Sequence, residues 1–266
     1  MMTATLIGLT AAVELVAPDL LGNIAWLQFG RIRPIHVNLV LFGFLVPAFF
    51  GASLYFIPIL CRTKLYSEKL ANFTVLAWNL ALAAIVITLM MGITQGREYA
   101  ELTWGIDIAV IIALSLYMYN LIKTVASRKE QLLYVSIWYI CGGVFLTIPL
   151  YALGNTIWVP STGALTGVTD AIWLWFYGHN IFGFLITPLA VGTAYYIIPR
   201  STRSPIYSHT LSLIGFWAIF VIYTHTGAHH LIQAPIPVWL KVIAIVDSMC
   251  LIIPVKPKPY SIGDSG

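Results

Sequence analysis

Long apolar runs dominate the chain, separated by polar or Gly/Pro-containing breaks. They fall near residues 36–60, 71–93, 104–124, 132–153, 171–198 and 208–231. A helix crossing a bilayer needs roughly twenty residues at about 1.5 Å each, so the pattern predicts six full membrane spans. A shorter run at 3–17 meets Pro18-Asp19. No basic region precedes it and no small-residue cleavage site ends it, so it reads as a span and not a removable signal, with the chain expected to begin inside its first helix. An incomplete run at 239–255 follows the six, making eight segments. There is no internal repeat, no low-complexity tract and no soluble linker, and every loop is expected to be short. The organisation expected is one membrane domain over 1–255 and a polar tail over 256–266, KPKPYSIGDSG. That tail is either a natural extension or the mark of a premature end.

Composition narrows the class. With 59% hydrophobic and 9% charged residues and a mean hydropathy of +0.88, this is not a soluble globular domain. Trp and Tyr gather near the ends of the apolar runs, as interfacial belts do. The net charge of +4 is small and scattered, which points to no nucleic-acid partner. Cys61, Cys141 and Cys250 lack metal-ligand or disulfide spacing and are expected to be core thiols.

Loop charge sets the orientation. Arg62, Lys64, Lys69, Lys123, Arg128, Lys129, Arg200 and Arg203 fall in alternate loops; the intervening loops hold only Arg31, Arg33, Arg97 and Lys241. Basic residues are retained on the cytoplasmic side, so the eight lie inside and the four outside. The 171–198 helix then runs inward and the 208–231 helix outward.

Ionisable groups within lipid are costly unless paired or coordinating, so the intramembrane histidines are the candidates for chemistry. His179 lies in WFYGHN, about nine residues and roughly 13 Å into its helix; His229 and His230 lie near the outward end of the next, in TGAHHLI. Antiparallel neighbours bring the three imidazoles to one depth, a nitrogen donor set that suits copper or zinc. Adjacent histidines diverge by about 100° on an α-helix. Sharing one ion therefore requires local distortion, which Gly227 permits, or an ion lying between them. The alternative is three separate, hydrogen-bonded interface histidines. Tyr223, seven positions before His230, falls on the same face of a regular helix and is either a proton donor to the site or a core tyrosine. His225, four before His229, would share that residue's face, hydrogen-bonding within the site or packing against a neighbour.

Toward the outer surface, His36 follows GRIRP. It is either an ordinary interfacial side chain or a ligand to haem iron, with Arg31 and Arg33 neutralising propionates. Glu98 and Glu101 in the outer loop either hold a hard cation such as calcium, with further oxygens, or are solvated loop charges.

These strings together resemble the catalytic subunit of cbb-type cytochrome c oxidases, the C family of haem-copper oxidases. The matching segments are FGRIRPIH (29–36), GREYAELTWGIDIA (96–109), YVSIWY (134–139), DAIWLWFYGHN (170–180), PRSTRSPIYSHTLS (199–212) and IYTHTGAHHL (222–231), in family order. The resemblance implies an all-α polytopic membrane protein, a haem-copper oxidase subunit I-like bundle comprising its first seven helices and a partial eighth. It implies that His36 ligates a low-spin haem b and that His179, His229 and His230 ligate copper beside a high-spin haem b. It makes Tyr223 the active-site tyrosine, cross-linked to His179, Tyr195 and Ser212 part of the proton-uptake route, and Glu98 a calcium ligand. The implied activity is reduction of O2 to water in the bacterial inner membrane, with cytochrome c as donor and c-type cytochrome subunits as partners. The family takes its second low-spin ligand and its proximal haem ligand from later helices, and no histidine follows His230 here. The chain alone is therefore expected not to reduce oxygen. Rival expectations are a nitric oxide reductase-like subunit, against which stand Tyr223 and the absence of Glu from 171–232, and a non-catalytic metal-binding membrane fragment or transporter.

Overall fold

The computed structural model describes residues 1–22, 24–156, 158–159 and 163–252, and the side chains of all of these but 156–164. The polar tail expected at 256–266 lies outside the described residues. The chain forms α1 (Met2–Glu14), α2 (Phe29–Leu60), α3 (Glu68–Met90), α4 (Trp104–Ala126), α5 (Val135–Thr156), α6 (Gly167–Thr202), α7 (His209–Val221), a 3-10 segment (Tyr223–Leu231) and α8 (Val238–Cys250). Strand pairing among the described residues is confined to two-residue segments, Trp158–Val159 with Gly163–Ala164, in the loop before α6.

Five helices, α2 to α6, are long and apolar enough to cross a membrane. The sixth predicted span is a broken one: α7 and the 3-10 segment meet at 47° and pass the test only together. At 13 residues each, α1 and α8 are about 20 Å long, short of a hydrocarbon core roughly 30 Å thick. Helices prevail because lipid offers no partner for a free N–H or C=O, so each segment must satisfy its own backbone. Leu76, Leu80 and Ile87 of α3 and Ile108 and Ile112 of α4 remain exposed in the chain, as lipid-facing side chains are.

Two widened, π-type turns interrupt the long helices, Leu41–Leu45 in α2 and Phe182–Ile186 in α6. Each stands just ahead of a proline, Pro47 or Pro188, whose ring would clash with the carbonyl four residues back in a regular helix. The first turn leaves the Phe42 carbonyl to accept from Trp78 Nε1 of α3 at 2.7 Å. Small residues set the closest approaches. A Cβ at Gly143 of α5 would lie 2.6 Å from the Phe184 carbonyl oxygen, whereas one at Gly142 would meet side chains, the Phe216 ring at 2.9 Å and that of Phe220 at 3.8 Å. This lets α6 and α7 lie against α5. At the predicted inner surface Ser67 caps α3, accepting from Leu70 N, and exchanges hydrogen bonds with Asn120 at the end of α4. Of the three thiols Cys61 is buried, but Cys141 and Cys250 are only partly so, which modifies the expectation of three core thiols.

The loop between α3 and α4, expected at the outer face, folds inward onto the helix ends. Arg97, 3% exposed, donates to the Gly154 carbonyl at 3.0 Å and pairs with Asp170 at 3.1 Å, tying the loop to the end of α5 and the start of α6. Glu101 is 6% exposed beside Asn38 of α2. The expectation of a solvated loop charge fails for Glu101, because the loop is anchored by Arg97 and packs down on the helix ends.

Candidate metal centre

Three imidazoles from α6 and the 3-10 segment converge. His179 Nδ1 lies 3.2 Å from His230 Nε2, which lies 3.2 Å from His229 Nε2, and a ligand atom from each fits within 4.8 Å of the others. His179 is 4% exposed, His229 partly buried and His230 exposed.

The backbone explains the convergence. Tyr223–Leu231 is a 3-10 helix, with three residues per turn, so positions three apart eclipse one another. Tyr223, Thr226 and His229 therefore form one stripe, and all three meet His179. The Tyr223 ring stacks on it at 4.0 Å and 18°, Thr226 Oγ1 lies 2.6 Å from its Nε2, and His229 meets it edge-on at 4.8 Å. Tyr223 does not share the face of His230 that α-helical spacing predicts, since the helix there is not α. For the same reason His225 does not share the face of His229. It is exposed and stands 3.9 Å from Asp247 of α8. His179 also lies about 18 Å into its helix, not 13, because α6 begins at Gly167.

Glycines make the approach possible. A Cβ at Gly227 would lie 2.7 Å from the Trp175 carbonyl oxygen and 3.2 Å from His179 Cβ; one at Gly183, inside the widened turn, would strike the Tyr223 ring. Trp175, one helical turn before His179, stacks on His230 at 4.1 Å and 20°.

Hydrogen bonds decide which nitrogens face inward. The Thr226 hydroxyl gives its proton to the Tyr223 carbonyl at 2.8 Å, so toward His179 Nε2 it can only accept. His179 is then protonated on Nε2 and turns the Nδ1 lone pair into the cluster. Lone pairs aimed at a common point repel unless a cation lies between them, and neutral imidazoles suit copper or zinc. These residues fit such an ion. Among the described residues no carboxylate or thiol joins the three histidines. The parallel stack of Tyr223 on His179 differs from the in-plane approach that a ring-to-ring bond between them would need.

His36 packs against α1. Its Nδ1 lies 2.8 Å from the Ala4 carbonyl oxygen, which can only accept, so Nδ1 carries the proton and Nε2 keeps its lone pair. A Cβ at Gly8 would strike this ring. One imidazole nitrogen ready for iron fits a haem ligand. Arg31 Nη1 donates to the Met90 carbonyl at 2.7 Å, leaving further N–H groups, while Arg33 makes a two-pronged pair with Glu98 at 2.8 Å. The Glu98 oxygens are thus engaged by a guanidinium, and a cation there would share them. Tyr195 stands 5.6 Å, ring to ring, from buried Tyr139, whose hydroxyl donates to the Ser212 carbonyl at 3.4 Å.

Sequence reasoning missed Thr226, Trp175, Tyr139, Arg97 and Ser248 of α8, whose hydroxyl lies 3.0 Å from His229 Nδ1. The three-residue spacing of Tyr223, Thr226 and His229 was a usable signal. Ser248 left none, being nineteen positions from His229 in another helix.

The sequence profile of the family described as "Cytochrome C and Quinol oxidase polypeptide I" matches residues 1–260. The chain is 37% identical over 253 residues to the Cbb3-type cytochrome c oxidase subunit CcoN1 of Stutzerimonas stutzeri, an alignment covering 93% of this chain and 53% of that protein. It is 36% identical over 257 residues to the cytochrome c oxidase subunit 1 homolog of Agrobacterium tumefaciens, covering 94% and 47%. To cytochrome c oxidase subunit 1 of Rhodobacter capsulatus it is 33% identical over 260 residues, covering 94% and 48%. The chain spans about half the length of these curated relatives.

Proposed function

This chain belongs to the cytochrome c and quinol oxidase polypeptide I family, and on that premise we propose that His179, His229 and His230 hold the copper of an oxygen-reducing haem-copper centre in a cbb-type cytochrome c oxidase. The observation that carries this is the convergence of three imidazoles within 4.8 Å on α6 and on the broken pair of α7 and the 3-10 segment, each long and apolar enough to cross a membrane. Copper bound there supplies one-electron redox chemistry to the reduction of O2 to water.

The chain's own residues do the rest. His179 and His230 present nitrogen lone pairs, and Thr226 and Trp175 hold them in place. Tyr223, stacked against His179, is the proton and hydrogen-atom donor, replenished from the cytoplasmic side through the region of Ser212, Tyr139 and Tyr195. His36 offers Nε2 to a low-spin haem b, with Arg31 and Arg33 toward its propionates and Glu98 toward a calcium ion. The high-spin haem b draws no ligand from the described residues. The relatives are named as subunits of cytochrome c oxidases; we propose that this chain likewise works within a larger oxidase complex, in a bacterial inner membrane, with c-type cytochrome subunits as partners and cytochrome c as donor. Among the described residues no carboxylate joins the histidine cluster, which favours this over a nitric oxide reductase-like iron site.

The test is metal analysis with reduced-minus-oxidised spectra of the purified chain. Near-stoichiometric copper should bind and be lost in His179→Ala, while a haem b signal survives that change and disappears in His36→Ala. Copper retained undiminished in His179→Ala, or none in the unaltered chain, overturns the reading.

A further inference from the structure

Helix α8 packs on the 3-10 segment, and Ala244, fully buried, lies at the contact with Ser248 one turn further along the same face. The Ser248 hydroxyl donates to the Ala244 carbonyl at 2.5 Å, the back-bond that serines make inside helices. That commits its one proton, so what remains toward His229 Nδ1, 3.0 Å away, is a lone pair. The ring nitrogen must then be the donor. We propose that Ser248 is the positioning residue for His229: by accepting the Nδ1 proton it locks the tautomer whose Nε2 lone pair points into the histidine cluster.

The arrangement repeats, with the nitrogens exchanged, what Thr226 does for His179. There the hydroxyl gives its proton to a carbonyl and accepts from Nε2, so Nδ1 turns inward. Two hydroxyls on different elements thus select different nitrogens on two rings. The consequence for α8 is that it completes the site, because without Ser248 the His229 ring is free to take the Nε2–H form, which has no lone pair to offer. The consequence for copper rests on the reading given above; the hydrogen bond itself does not.

The experiment uses the full chain in nanodiscs with 15N-labelled histidine. In the metal-free chain His229, assigned by its loss in His229→Gln, should give the signature of an Nδ1-protonated ring. Ser248→Ala should populate both tautomers, and Ser248→Thr should restore the single form. Titration with copper alone against a competing chelator should show about a 10- to 100-fold weaker affinity for Ser248→Ala, the usual effect of removing a partner behind a ligand, with affinity recovered in Ser248→Thr. An unchanged tautomer and affinity in Ser248→Ala overturns the proposal, as does an equal loss in both variants, which would mark a packing role. A chain that binds no copper yet loses its single tautomer in Ser248→Ala upholds the hydrogen bond and sinks only the copper reading.

Discussion

Glu101 shows what a single side chain can carry when a loop folds inward. Burial pushes its carboxyl above the ordinary glutamate value, partly opposed by hydrogen bonds from backbone and Asn38. A folded-state value above the unfolded one means that this group's contribution to stability is fully present below the unfolded value and is lost as pH rises through the folded value. Glu101→Gln keeps the polar contact and removes the titration. Thermal unfolding followed from acid toward neutral pH should therefore show the unaltered chain losing stability relative to Glu101→Gln; parallel curves would refute this. The residue type was legible in GREYAEL, but its burial was not, because burial depends on Arg97 reaching 57 positions along the chain to the Gly154 carbonyl. His36 and His179 were legible at this scale for a different reason: an imidazole in an apolar run has to be explained by something nearby.

At the scale of elements, apolar length alone located α3 to α6 to within a few residues, since a bilayer permits little but helices; it found the end of α2 but not its start, which lies earlier at Phe29. It could not reveal that the last span tightens to three residues per turn. The expected distortion at Gly227 was read from the two adjacent histidines, yet its form decides which side chains align, and α-helical spacing misplaced Tyr223 and His225. Gly227→Ala tests the point. Its methyl would stand 2.7 Å from a main-chain oxygen, which cannot swing aside as a side chain can. Overpacking of this kind costs about 1–3 kcal/mol. A lowered unfolding midpoint together with reduced copper binding is expected, and unaltered copper affinity would show that the close approach of the two helices is dispensable.

For the whole molecule, the alternation of charged loops predicts opposite sides for Lys64 and Lys241. Cysteines placed there in a chain relieved of its own three thiols should react with a membrane-impermeant maleimide from opposite faces of oriented vesicles. Labelling from the same face would overturn the orientation derived from loop charge. Family membership and the helical bundle were readable at this scale from ordered motifs spread along the chain. The seating of α8 on the 3-10 segment was not, since nothing in either segment's composition encodes the partner. The contact between α1 and His36 has an outcome of its own kind. A main-chain oxygen survives every side-chain replacement, so the proton on that ring is insulated from variation along α1 so long as the helix persists. Vulnerability is concentrated at Gly8, where the smallest possible addition lands on the imidazole and would tilt the ring away from the Ala4 carbonyl.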